Sequence, residues 1–350
     1  MPMNLKKIKD AAVLIAFLAV MLWTSYGSTE EKEDKQIYIG VACYDQKDTF
    51  LGELIEAFKD ECSHLEAKGY GISLTIMDAA NSQRTQDDQV QEMINNGCDI
   101  LCVNLADRTD PSEIIDTARE NDVPIIFFNR EPVEEDLMQW NKLYYVGAEA
   151  KQSGQMQGEL AADYIKENPS VDKNSDGKIQ YVILEGELGH QDAIIRTESV
   201  AESMKENGVE LEKLSYQTAN WNRAQAQNRM TQLIGQYKNS IELVIANNDA
   251  MALGAMDAYE KLGITDSNYP VFFGIDGTDE GLEAVRQSKL AATVYNDKEG
   301  QAYTMAQLAY AVVTGYGMNN IGFENKKYIY LPYKKVTAGN VTDFIDNIQD

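Results

Sequence analysis

The chain has 350 residues, 56 of them acidic and 31 basic, giving a formal charge of −25 at pH 7. A surface this negative repels phosphate backbones and anionic lipid, which excludes nucleic acid as a partner. The length suits two domains once an N-terminal segment is set aside.

That segment has Lys6, Lys7 and Lys9, then an apolar run from Ala11 to Trp23, then the small residues Ser25 and Gly27. This is the layout of a secretory signal, with cleavage expected after Gly27. The apolar run is shorter than the roughly 20 residues that an ordinary membrane-spanning helix needs. An uncleaved signal would instead anchor the chain. Losing Lys6, Lys7, Lys9 and Asp10 would bring the net charge to −27. Residues 28–36 form an acidic tether with nothing to bury.

From Ile37 the pattern alternates. Strands are expected over Ile37–Cys43, Ile72–Met77, Ile100–Leu105 and Val123–Phe128, with amphipathic helices over Leu51–Cys62, Gln86–Asn95 and Pro111–Asn121 between them. Cys43, Cys62, Cys98 and Cys102 fall within this stretch. Three of them lie in or beside apolar runs and read as buried small hydrophobes. Cys98 and Cys102 lack the paired spacing of a zinc site, and no disulfide pairing stands out.

Residues 172–180 read Asp-Lys-Asn-Ser-Asp-Gly-Lys-Ile-Gln. Asp172, Asn174 and Asp176 occupy positions 1, 3 and 5 of an EF-hand-like calcium loop, and Gly177 takes the turn position. Lys178 offers its carbonyl at position 7 and Gln180 its side chain at position 9. Position 12 is Ile183, inside a strand-like run, so the last ligand must come from elsewhere in the chain. A solvated Asx-rich turn is the plain alternative. Gln180 and the strand that follows favour calcium.

The alternation then resumes. Strands are expected at 179–185, 211–216, 241–246 and 270–275, and helices at 193–207, 222–237 and 250–262. A helix at 299–314, the apolar Tyr328–Leu331 and a last short helix close the chain. Two similar runs of strand–helix units imply two lobes, each a parallel sheet flanked by helices. In such sheets ligands sit at the carboxyl ends of the strands. Polar residues collect there: Asp48, Asn104 and Asn129 in the first run; His190 to Arg196, Asn247 to Asp249 and Asp276 in the second.

Four segments carry a resemblance: Gly186-Glu187-Leu188-Gly189-His190-Gln191-Asp192-Ala193-Ile194-Ile195-Arg196, Ala246 to Ala252, Phe127 to Pro132 and Tyr145-Val146-Gly147. With them the chain, from about Ile37 to its end, resembles the bacterial periplasmic galactose/glucose-binding proteins, sugar receptors of ABC transporters. The resemblance implies a two-lobed α/β fold joined by a three-strand hinge. The first lobe would be 37–123 plus 297–331, the second 124–296 plus 332–350. It places Asp48, Asn104, His190, Asp192, Arg196, Asn248, Asp276 and Asn296 on sugar hydroxyls and the ring oxygen. Phe50 and Trp221 would cover the two faces of the pyranose. It also implies Glu242 as the bidentate calcium ligand missing from position 12. Gln191 stands where the family has a proline, and Lys178 replaces a neutral loop residue.

The chemistry suits a hexose, whose hydroxyls both donate and accept and whose C–H patches pack on aromatic faces. Taken singly, His190 reads as a surface histidine, Trp221 as core and Asp276 as a helix N-cap. Their joint position at strand ends outweighs that. A glycosidase would need a bond held between two carboxylates, one of them with a raised pKa; Arg196, four residues after Asp192, is expected to keep that carboxylate ionised. No G-x-S-x-G nucleophile motif is present. A sugar-responsive repressor would need a helix-turn-helix and a basic face. The expectation is therefore an exported, monomeric, non-enzymatic receptor that closes on galactose or glucose and presents it to an ABC permease, a membrane sensor or a chemoreceptor. A sensor subunit for another monosaccharide is the alternative.

Overall fold

The computed structural model describes residues 36–265 and 269–345, so the expected signal and nearly all of the tether lie outside the described residues. The first sheet is built from β1 (Ile37–Cys43), β2 (Ile72–Asp78), β3 (Ile100–Val103), β4 (Ile125–Phe128), β5 (Leu143–Gly147) and β11 (Tyr328–Tyr330). Its order is β11-β5-β4-β3-β1-β2, every pair parallel. The second contains β6 (Ile179–Glu185), β7 (Leu211–Thr218), β8 (Leu243–Ala246), β9 (Val271–Phe273), β10 (Ala292–Tyr295) and β12 (Lys334–Thr337). Its order, β12-β10-β9-β8-β6-β7, repeats that of the first, with β12 antiparallel at the edge. Both sheets are covered on each side by helices, which is why β3, β4, β8 and β10 are buried at every position.

In the first lobe α1 (Thr49–Ala67), α2 (Gln83–Asn95), α3 (Ser112–Glu120) and the short α4 (Glu134–Leu137) follow the strands in turn. In the second, α6 (Gln191–Glu206), α7 (Arg223–Tyr237), α8 (Asp249–Lys261) and α9 (Asp279–Arg286) do the same. Two helices change lobes. After β5 the chain enters α5 (Ala150–Glu167), which packs on α6, and after β10 it returns through α10 (Lys298–Thr314), which packs on α1. The chain ends in α11 (Thr342–Ile345).

The crossings fall at 148–149, 296–297 and 331–333. The first is a correction. The lobe boundary expected at residue 123 cuts through the first sheet, because β4 pairs with β3 and β5 with β4. Strand β5 and helix α5 escaped the periodicity because Tyr144 and Tyr145 follow a polar loop and α5 is rich in small residues. All four cysteines are free, Cys43, Cys62 and Cys102 buried and Cys98 half-buried. No helix among the described residues is long and apolar enough to cross a membrane.

Candidate functional site

The two lobes meet over a small polar cavity of about 30 Å³, lined by Tyr44, Asp48, Phe50, Asn129 and Arg130 of the first lobe. The second lobe contributes His190, Asp192, Arg196, Trp221, Asn248 and Asp276. A cleft of about 450 Å³ adjoins it, sharing Tyr44, Asp48 and Trp221.

Helix starts supply most of these side chains. Asp48 is the N-cap of α1, accepting the Leu51 N–H at 2.9 Å and the Tyr44 hydroxyl at 2.7 Å. His190 caps α6, its Nδ1 accepting the Asp192 N–H at 3.1 Å. Asn248 caps α8, accepting the Met251 N–H at 2.9 Å, while its amide donates to the Trp221 carbonyl at 3.3 Å. Capping residues are preferred at such starts because they satisfy orphan N–H groups. Here the corner also faces the other lobe. Asp276 is not a cap: Thr278 caps α9, and Asp276 instead faces the Arg196 guanidinium at 3.6 Å.

Arg196 is the hub of the second lobe. It donates to the Asn247 carbonyl at 2.7 Å and the Tyr333 hydroxyl at 3.0 Å, and stands 4.0 Å from Asp192. Its Nε has no partner. Burial pushes the Asp192 carboxyl up, and Arg196 first, then Arg130 and Arg108, pull it back down. Asp276 is likewise raised by burial, against the pull of Arg196. His190 is held well below its ordinary value by burial and then by Arg130, Arg196 and Arg108. The ring is therefore neutral, and with Nδ1 accepting, its Nε2–H is a donor.

Trp221 lies half-buried over Gly186, where a Cβ would run into the indole, with His190 edge-on at 5.3 Å between centroids. Phe50 is buried among the residues of the first-lobe core and also lines the cavity.

Eight of the ten expected contact residues line the cavity. Asn104 and Asn296 do not. Asn104 is fully buried behind it, donating to the Phe128 carbonyl at 2.9 Å and to Asn129 Oδ1 at 3.0 Å, while its own Oδ1 has no partner. Asn296 is buried beneath Asp276, bonded to it and to Gln301. Tyr44, Asn129 and Arg130 line the cavity but were not assigned from sequence. The guanidinium of Arg130 stacks on the Tyr44 ring at 3.5 Å and bonds Glu187 of the other lobe at 2.8 Å. Its signal was the run Asn129-Arg130-Glu131 directly after a strand end.

The lobes are also clasped away from the cavity. Lys298 of α10, almost wholly buried, bonds Glu53 of its own lobe at 2.5 Å and Asp279 of the other at 2.7 Å. Glu53 in turn accepts the Asp279 N–H at 3.1 Å.

At the other end of the second lobe, residues 172–180 fold by side-chain to backbone bonds. Asp172 accepts from the Asp176 and Gly177 N–H groups, and Asp176 accepts from that of Lys178. Gly177 has φ +81°, a conformation that glycine adopts without strain. Asn174 donates to Asp176 and Gln180. Glu242, buried just before β8, accepts the Lys173 N–H at 2.6 Å and the Gln180 N–H at 3.0 Å. Among the described residues no three acidic, histidine or cysteine side chains form a group that could hold a metal.

A two-lobed α/β protein with a polar cavity at the strand ends of both sheets is built as a small-solute receptor. Residues 39–317 match the periplasmic binding protein domain, and the chain belongs to that family. It is similar to the D-galactose/methyl-galactoside binding periplasmic protein MglB of Haemophilus influenzae, 35% identical over 310 residues that cover 88% of this chain and 91% of the relative. It is 28% identical to the xylitol-binding protein of Mycolicibacterium smegmatis, covering 83% and 75%. Among solved structures, an ABC transporter solute-binding protein of Bacillus halodurans with bound myo-inositol matches at a TM-score of 0.74 and 30% identity, covering 89% and 98%. These relatives are solute-binding proteins, and the chain is a binding protein rather than an enzyme.

Proposed function

We propose that the protein is an exported receptor that captures D-galactose or D-glucose between its lobes and delivers the sugar to an ABC permease. One observation carries this. Asp48, Asp192 and Asp276 as acceptors, with Arg196, Asn248 and the Nε2–H of His190 as donors or amphoteric groups, line one cavity from both lobes together with the aromatic rings of Phe50 and Trp221. A neutral ring bearing several hydroxyls satisfies such a set, and charge-assisted bonds to Asp and Arg are its strongest. The orphaned Asn104 Oδ1 behind the cavity and the orphaned Nε of Arg196 add a buried acceptor and a donor. The names of the relatives support a sugar or polyol and differ on which one. Closure would be the signal that the permease, or a membrane sensor or chemoreceptor, reads. Calorimetry of the mature protein against D-galactose, D-glucose, D-ribose, xylitol and myo-inositol tests it. Micromolar binding of galactose or glucose is expected; binding of myo-inositol or xylitol alone would overturn the hexose assignment.

We propose further that the 172–180 loop holds calcium. Asp172, Asn174, Asp176 and Gln180 would supply side-chain oxygens, Lys178 its carbonyl and Glu242 its carboxylate. The donor set is all oxygen, as a hard cation prefers. Each carboxylate oxygen that accepts one N–H keeps a further lone pair. Bound there, the ion would neutralise the gathered carboxylates and brace β6 against β8.

A further inference from the structure

Asp249 lies beneath the cavity, fully buried, and touches none of its space. It is the first residue of α8, directly after Asn248. Its own N–H donates to the Ile275 carbonyl at 2.7 Å. One carboxylate oxygen accepts the Thr293 hydroxyl of β10 at 2.6 Å. The other accepts the Thr278 N–H at 2.9 Å, with the Thr278 hydroxyl at 3.5 Å, and the Gly277 N–H also bonds the carboxylate. We infer that Asp249 is the positioning residue of the site, tying the α8 corner that carries Asn248 to the 276–278 turn that carries Asp276 and to the strand that leads to Asn296. This rests on the cavity being the ligand site.

Three features point the same way. The donors are neutral, so the carboxylate forms no ion pair that would explain its burial; an apolar side chain would fill the space at lower desolvation cost. The fold is shaped around it: a Cβ at Gly274 or Gly281 would collide with the Asp249 side chain. Asp276 itself has φ +115°. A strained backbone at a non-glycine residue persists only where its surroundings over-determine it. Asp249 grips the two N–H groups that follow Asp276, which supplies that constraint.

The charged groups around it are acidic. Glu53 of α1 and Asp276 face Asp249, and Lys298 and Arg196 respectively answer those two. Burial raises the Asp249 carboxyl to about 7, with the Thr293, Thr278 and Gly277 bonds opposing. Protonation removes an acceptor from the grip, so ligand affinity falls as pH drops through that value.

The test is calorimetric titration of wild type, Asp249→Asn and Thr293→Val with D-galactose and D-glucose from pH 5.5 to 8.5. Wild type should lose several-fold in affinity between pH 8 and pH 6. Asp249→Asn should bind at least tenfold more weakly at pH 8 and show a smaller pH step than wild type, the remainder coming from Asp192 and Asp276. An Asp249→Asn protein with wild-type affinity, or one whose step is as large as that of wild type, overturns the assignment. Thr293→Val covers the case in which Asp249→Asn fails to fold: its loss of affinity should vanish in an Asp276→Asn background, and an undiminished loss there would refute action through Asp276. Amide exchange without ligand separates the two hypotheses. If wild type binds no sugar, the receptor reading fails. Faster exchange of the Gly277 and Thr278 amides in Thr293→Val than in wild type would still support the grip, and unchanged exchange would sink it.

Discussion

Asp192 and Asn248 face the cavity from the starts of two different helices. With each bonded to a sugar hydroxyl as proposed, truncation would leave that hydroxyl unpaired, which costs about 1–3 kcal/mol and more against a charged partner. Asp192→Ala should weaken hexose binding on the order of a hundredfold, and Asn248→Ala at least tenfold, with far-UV circular dichroism unchanged. Calorimetry giving wild-type affinity for Asp192→Ala would remove that residue from the site. Trp221 offers a separate readout, since its indole sits at the cavity and the adjoining cleft. In a mature Trp140→Phe protein, where Trp221 is the only tryptophan left, galactose or glucose should change its fluorescence and ribose should change it little. A flat trace with all three would speak against stacking.

At the scale of elements, the 172–180 loop and Glu242 join the start of β6 to the start of β8, at the end of the second lobe away from the cavity. A metal that binds only the folded form stabilises by mass action, about 2.7 kcal/mol at a hundredfold excess over its dissociation constant. EGTA should therefore lower the melting temperature clearly while changing sugar affinity little. Glu242→Gln should lose most of the calcium response, because a neutral amide is a poor substitute for a carboxylate at a hard cation. Identical melting of wild type in calcium and in EGTA would reduce the loop to a turn. The loop's turn was legible because the residues that build it are local. Glu242 was not legible from spacing, since it lies far along the chain, just before a neighbouring strand.

Across the whole molecule, cavity and clasp lie on the same two segments. Asp48, Phe50 and Glu53 share the first turns of α1, while Asp276 and Asp279 flank the cap of α9. The Lys298–Asp279 and Glu53–Asp279 contacts hold the two lobes together beside the cavity. Asp279 is largely exposed, so its pairing contributes modestly, within about 1 kcal/mol. Asp279→Ala should bind sugar severalfold more weakly through faster release. Ligand-free, it should show a larger radius of gyration by small-angle scattering than wild type. Coincident scattering curves and equal release rates would mean that the clasp is a bystander.

The sequence by itself determined the repeated strand–helix order, the composition of the calcium-like loop and six strand-end residues around the cavity, Asp48, His190, Asp192, Arg196, Asn248 and Asp276. Phe50 and Trp221 came only with the family resemblance. Periodicity and strand-end polarity are local properties that burial on both sheet faces imposes residue by residue. Only the tertiary structure decided that β4 and β5 belong to the first sheet, because strand pairing is non-local and Val123 marks no break in the chain. It also decided that Asn104 and Asn296 stand behind the cavity rather than in it. Arg130 and Tyr44 entered the site only through a stack and a cross-lobe bond to Glu187. No spacing encodes a contact between residues 57 apart in the chain; it exists because the two lobes meet there.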